Sequence, residues 1–199
     1  MRILIVGATG TIGQAVVTAL RPRNDLVLAS RSKSPERVDL ADASSIRALF
    51  ERVGRVDAVV SVAGEAAYKP LAQLDDKDFS FSIGSKLMGQ INLVRLGAPS
   101  VNDGGSFTLT SGVLATRPTP GGAAISVVNA GVDAFARAAA LELPRGLRIN
   151  SVSPPWVSET LVAMGRDPAG GLPAADVARS YAESVEGKQT GAAITPKRR

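Results

Sequence analysis

Short apolar runs alternate along the whole chain with longer stretches of helical spacing. Ile3 to Val6 is a continuous apolar run that ends in glycines, and Ile12 to Leu20 then repeats at helical spacing until Arg21-Pro22 stops it. The same alternation predicts strands at Leu26 to Ala29, Ala58 to Val62, Phe107 to Thr110 and Leu147 to Val152, with a last short strand at Ala192 to Ile194. Helices are predicted over Ser44 to Val53, capped by Asp42 or Ser44, and over Phe79 to Leu96, Gly122 to Leu143 and Pro173 to Val185. Strands that alternate with helices, each strand apolar on both faces, specify a parallel sheet covered on both sides.

The stretch Ile125 to Leu141 leaves little polar face, because alanines and valines occupy most of every turn. A helix that is apolar all round is buried all round. In a one-sheet domain one side covers the sheet and the other needs a partner, which predicts a homodimer or homotetramer through the two long helices.

With 199 residues, 45% hydrophobic and 21% charged, the chain reads as one folded domain over 1–195 followed by a basic tail, 196–199. Cysteine and histidine are both absent. That excludes disulfides, thiolate chemistry and thiolate-held metal, and it removes the commonest metal ligand, so no metal site is expected. It also leaves proton transfer to Tyr, Lys, Asp, Glu, Ser or water. The lack of cysteine fits a reducing compartment, and a cytoplasmic location is expected. No apolar run is long enough to span a membrane, and the glycine-broken N-terminus reads as a strand entering a turn, not as a signal peptide. Of the net charge of +5, Lys197, Arg198 and Arg199 supply three charges. No basic stripe with interleaved aromatics accompanies them, so nucleic acid is not expected as a partner and the tail reads as solvated.

The strand Ile3 to Val6 runs directly into Gly7-Ala8-Thr9-Gly10-Thr11-Ile12-Gly13 and then a helix. Strand, glycine turn and helix in this order aim backbone N–H groups and a helix N-terminus at a pyrophosphate. Gly7, Thr9, Gly10, Thr11 and Ile12 are therefore candidate nucleotide contacts. After the second strand, Ser30-Arg31-Ser32-Lys33-Ser34 offers no carboxylate for a ribose 2′-hydroxyl but offers two cations and three hydroxyls. That set suits a 2′-phosphate and points to NADP(H), with Ser30, Arg31 and Ser32 as the contacts.

These features, with Asp39-Leu40, Val62-Ala63-Gly64, Leu87-Met88-Gly89, the helix block Gly131 to Leu143 and the block Leu147 to Pro154, resemble the short-chain dehydrogenase/reductase family over nearly the whole length. The resemblance implies an α/β fold with one doubly wound parallel sheet of about seven strands (a Rossmann fold), an NAD(P) cofactor and often a tetramer. It implies that Asp39, with Leu40, meets the adenine, that Ala63 and Gly64 pass the adenosine ribose, and that Pro154, Trp156 and Val157 lie beside the nicotinamide. Pro155 stands where family members carry glycine. Only Ser30 to Glu36 separates the second strand from the third, too few residues for a crossover helix, which normally needs at least ~10–12. That helix is expected to be missing and the third strand rudimentary, at an edge. Between Thr160 and Pro173 the family's substrate lid is expected to shrink to a glycine-rich loop.

The catalytic set departs from the family, which uses Asn, Ser, Tyr and Lys. Aligning the Asn-x-x-Gly motif places Lys86 at the Asn, and aligning Tyr-x-x-x-Lys places Ile125 at the Tyr and Asn129 at the Lys. Counting back from Ile125 puts Gly112 at the serine, with Ser111 one residue away. Lys and Asn are thus exchanged between the two long helices, which keeps an ammonium near the nicotinamide ribose while supplying it from the other helix. Lys86, Ser111 and Asn129 are the catalytic candidates, with Lys86 also toward the cofactor. The two tyrosines, Tyr68 and Tyr181, read as structural. The chain is expected to be an NADP(H)-dependent oxidoreductase acting on a small carbonyl, imine or enone. The alternative is a catalytically silent NADP(H)-binding sensor or partner subunit.

Overall fold

The computed structural model describes residues 1–198. Seven parallel strands form one sheet in the order β3-β2-β1-β4-β5-β6-β7. They are β1 (Arg2–Val6), β2 (Asp25–Ser30), β3 (Glu36–Arg37), β4 (Val56–Ser61), β5 (Val101–Thr110), β6 (Arg148–Val152) and β7 (Ala193–Ile194). The helices are α1 (Thr11–Leu20), α2 (Ala43–Val53), α3 (Asp76–Ser82), α4 (Gly89–Gly97), α5 (Ala123–Ala139), α6 (Ser158–Ala163) and α7 (Ala174–Glu186). β1 explains the continuous apolar run. Leu4 and Val6 face a core built with α2, α4 and α5, through Phe50, Leu93 and Val132. Ile3 and Ile5 face the opposite core, built with α1 and α7, through Val16 and Tyr181.

The chain winds outward from β1 to β2 and β3, then returns to lay β4 on the other side of β1. The crevice of a doubly wound sheet opens where the winding reverses, at the carboxyl ends of the strands. Here that point lies between the ends of β1 and β4, where Val6 pairs with Ser61. β3 is two residues long at the sheet edge and no helix joins it to β2, as the short Ser30–Glu36 connection requires.

The long helix expected over Phe79 to Leu96 is interrupted. α3 starts at a capping box between Asp75 and Asp78, and a π-helical turn, Ile83–Met88, then leads into α4. A π turn inserts one extra residue per turn and re-aims the side chains it carries. Gly89, the first residue of α4, lets that helix close onto the Leu40 loop: a Cβ there would lie 2.8 Å from Leu40 Cβ.

One face of α5 covers the sheet, with Val128, Val132 and Ala136 buried, and the opposite face is open in the single chain, with Val127 53% exposed and Ala130, Ala134 and Ala138 exposed on one stripe. Two expectations change. The segment after Thr160 is not simply a glycine-rich loop, because a short helix, α6, remains, held by Glu159 accepting the Ala174 N–H at the start of α7. The basic tail is not wholly solvated, since Pro196 is buried and Arg198 donates to the Gly171 carbonyl at 2.8 Å; Arg199 lies outside the described residues.

Candidate functional site

Two cavities open at the switch point and share Gly64. The first, about 380 Å³, is lined by Gly7, Thr9 and Gly10 of the glycine turn, by Ser30, Arg31 and Ser32 after β2, and by Leu40, Ala63 and Gly64. The glycines of the turn answer to different demands. Gly7 has φ +91° and donates its N–H to Ala29 O at 2.8 Å; a Cβ there would lie 2.7 Å from the Val62 carbonyl, so the chain's own packing requires glycine. At Gly10 a Cβ would meet nothing closer than Gly7 O at 3.6 Å. The protein leaves room for a methyl there, and internal packing gives no reason for its absence. Gly10 is also the N-cap of α1, with no capping side chain and no carboxylate in the first turn. An uncovered helix N-terminus beside a cavity attracts an anion. The residues present therefore fit a nucleotide pyrophosphate approaching over Gly10.

Two sequence-derived contacts, Asp39 and Thr11, fall outside both cavities, and Ile12 lines the second. Asp39 is exposed and its Oδ1 accepts the Ala41 N–H at 2.9 Å, so the carboxylate serves its own turn while its neighbours Val38 and Leu40 line the cavity. Thr11 lines a separate groove with Gln14, Ala15, Thr18 and residues of α7. Conversely, Glu65 and Ser85 line the first cavity and were not among the candidates. Glu65 accepts from Arg31 at 3.2 Å, so the carboxylate missing from the β2 segment arrives from the end of β4. Its position directly after Val62-Ala63-Gly64 was the available signal.

The second cavity, about 360 Å³, brings Lys86, Ser111 and Asn129 together. Ile12, Pro154, Trp156 and Val157 line it too, as does Ile125, which stands where the family resemblance places a phenol. Lys86 comes from the π turn and is buried. Its Nζ donates one long hydrogen bond, 3.4 Å to Ser111 O, and no carboxylate lies within ion-pair distance among the described residues. Burial pulls its pKa down to about 8, opposed by the charge of Asp133. Asp133 itself is buried on α5 and accepts from Ser151 Oγ at 2.6 Å. Gly64, at φ +115°, packs directly on Lys86, where a Cβ would sit 2.9 Å from its Cα.

Gln90, fully buried one turn beyond Lys86, fixes this floor. It donates to Lys86 O at 3.2 Å and Thr110 O at 2.8 Å, and accepts the Thr110 N–H at 2.7 Å. Asn129 is buried and its Oδ1 has no hydrogen-bond partner. Gly112 runs against its amide nitrogen, where a Cβ would come within 2.7 Å. Lys86 and Asn129 are thus a donor and an acceptor, each under-satisfied, in one cavity wall.

Neither tyrosine lines this cavity. Tyr181 is fully buried against Thr110 Oγ1 at 2.6 Å, and burial raises its pKa, so it holds its proton. Tyr68 is 42% exposed and bonds Pro120 O at 3.2 Å. It meets Trp156 edge-on at 5.7 Å, while the Arg166 guanidinium lies 5.3 Å from the same ring.

A family model described as Enoyl-(Acyl carrier protein) reductase matches residues 13–194. The crystal structure of the protein lin1944 from Listeria innocua is 44% identical, covers 98% of both chains and superposes with a TM-score of 0.95. A small-chain dehydrogenase crystallised in complex with NADPH shares the fold, with a TM-score of 0.87 and 24% identity over 98% of this chain and 95% of that one. An uncharacterized NAD-dependent oxidoreductase of Mycobacterium tuberculosis is 30% identical over 133 residues, 63% of this chain and 48% of that protein. The chain thus spans about half the length of the curated relatives it matches first. The sheet order, the glycine turn at the switch point and the span of the family match converge: the chain belongs to the short-chain dehydrogenase/reductase family.

Proposed function

We propose that this chain is an NADP(H)-dependent oxidoreductase acting on a small carbonyl, imine or enone, with Lys86 as its proton-transfer group. The observation that carries the reading is a buried ammonium without a carboxylate partner, lining a cavity that adjoins the nucleotide cavity at Gly64. Gly7, Thr9, Gly10 and Ile12 would hold the pyrophosphate, and Ser30, Arg31 and Ser32 the 2′-phosphate. Leu40, Ala63 and Gly64 would lie along the adenosine, with Lys86, Pro154, Trp156 and Val157 at the nicotinamide end. The names of the neighbours differ on the cofactor, one bound to NADPH and one called NAD-dependent. The cations after β2 favour the phosphorylated form.

When bound, the nicotinamide supplies or accepts the hydride. The protein's part is to move the proton and to exclude water. A lysine with a pKa of about 8 is mostly ammonium at neutral pH and yields its proton far more readily than an ordinary lysine, which suits a general acid in one direction and a base in the other. In reduction, Nζ–H would donate to the substrate oxygen or nitrogen as negative charge develops there. The orphan Oδ1 of Asn129 would accept a donor from ligand or from Lys86, and Ser111 would line the same wall. Ile12, Val113, Leu114, Ile125 and Val157 keep the walls apolar, which strengthens that hydrogen bond.

The exposed stripe of α5 with Phe81 and Met88 of the neighbouring helical segment supports a homodimer or homotetramer through the two long helices. Among the described residues no helix is long and apolar enough to cross a membrane. A cytoplasmic location is proposed on the cysteine-free composition.

Five outcomes test these readings. NADPH should bind more tightly than NADH by nicotinamide fluorescence titration; equal affinity or tighter NADH contradicts the cofactor assignment. Lys86→Met should weaken NADPH binding and lower turnover across a panel of carbonyls, imines and enones by ~10²-fold or more. Wild-type reduction should fall as pH rises through about 8, where the ammonium is lost; tight NADPH binding with no turnover on any of the panel favours the silent sensor instead. The same variant should gain stability at pH 7. The folded pKa lies below the unfolded value, so the unfolded chain binds more protons between about 8 and 10.5, and wild-type stability should rise with pH across that window. Removing the buried ammonium recovers roughly 3 kcal/mol at neutral pH and abolishes the rise, read by urea unfolding at several pH values. Sedimentation at micromolar concentration should show the oligomer, and a monomer there contradicts the interface.

A further inference from the structure

Arg31 and Glu65 join across the first cavity. Arg31 leaves the carboxyl end of β2, Glu65 follows β4, and β1 lies between those strands. Both side chains line the cavity and meet at 3.2 Å. The two backbones are anchored independently of the pair. The Glu65 N–H donates to Ser85 Oγ at 3.1 Å and the Ala67 N–H to Ser82 Oγ at 2.9 Å, which ties this segment to the α3 side of the crevice. On the other side, Ser30 Oγ accepts the Lys33 N–H at 2.9 Å and fixes the turn that carries Arg31. The bridge therefore spans two rigid banks.

The bridge is weak. The Arg31 and Glu65 side chains are 62% and 58% exposed, and ion pairs of that kind contribute ~0–1 kcal/mol. A phosphate dianion carries more charge than a carboxylate and matches the guanidinium fork. It can take Arg31 from Glu65, but it then sits beside a carboxylate whose backbone is pinned in place. A ribose 2′-hydroxyl is uncharged and needs no release of Arg31; it can donate to Glu65, or to the amide oxygen of a glutamine in its place.

We infer that Glu65 is a specificity-determining residue: it competes with the cofactor's 2′-phosphate for Arg31 and so holds the preference for NADPH over NADH below what the β2 cations alone would give. The inference rests on the NADP(H) assignment above. It gives the chain a nucleotide preference set by two opposed side chains on opposite banks of the crevice, not by the segment after β2 alone.

The test is equilibrium binding of NADPH and NADH, which differ only at the 2′ position, to the full-length wild type, Glu65→Gln, Arg31→Gln and the double variant. Fluorescence titration at low salt needs no turnover. Glu65→Gln should tighten NADPH about three- to ten-fold and leave NADH within about two-fold. Arg31→Gln should remove most of the NADPH preference, and the gain from Glu65→Gln should shrink in that background, because the competition runs through Arg31. Raising salt should shrink the gain as well. An unchanged NADPH:NADH ratio in Glu65→Gln overturns the proposal, and a reduced ratio shows that Glu65 orients Arg31 for the phosphate instead. Binding of neither nucleotide to any variant refutes the cofactor reading and this inference together. A shifted ratio without turnover on the substrate panel leaves the inference standing and refutes only the oxidoreductase reading.

Discussion

Lys86 sits out of water with a single long hydrogen bond, 3.4 Å to a backbone carbonyl. A buried ammonium without a carboxylate against it destabilises the fold, and fold stability alone gives no reason to keep one. Several features of the structure are arranged around that group. The π turn aims it into the cavity, Gly64 lets the end of β4 press on its backbone, and Gln90 clamps its carbonyl to the end of β5. Asp133 supplies negative charge from α5 without closing an ion pair, which leaves the amine titratable near neutral pH. A direct carboxylate partner would hold the ammonium charged to higher pH.

The crevice at the β1–β4 switch point divides this chemistry from nucleotide recognition. Gly64 belongs to both halves, since it lines both cavities. The glycine turn shows how folding and function separate at the level of single residues. Gly7 is required by the protein's own backbone approach to Val62, whereas Gly10 is free of contacts that would forbid alanine. Its bareness leaves the N-terminus of α1 open to an anion.

Much of this was legible in the sequence. The alternation of apolar runs gave the parallel sheet, the five residues between Ser30 and Glu36 gave the missing helix, and the exchanged Lys and Asn did converge on one cavity. What was not legible depended on contacts between distant segments. Asp39 is marked by its motif, yet the structure places it outside both cavities, with Oδ1 accepting the Ala41 N–H of its own turn. Glu65 went unnoticed because the acidic residue was sought after β2, whereas the crevice brings it from β4. The π turn has no signature in apolar spacing, so one long helix was expected where two helices and a re-aimed lysine stand.

The central claim is that the Lys86 ammonium is buried, alone and titratable near neutral pH. The most direct measurement is a heteronuclear NMR titration of the lysine side chains, with the Lys86 signal assigned by its disappearance in Lys86→Met. The Lys86 signal should titrate at about 8, well below the ordinary lysine value of 10.5. A Lys86 signal that titrates at 10.5 would contradict a buried ammonium with no carboxylate against it.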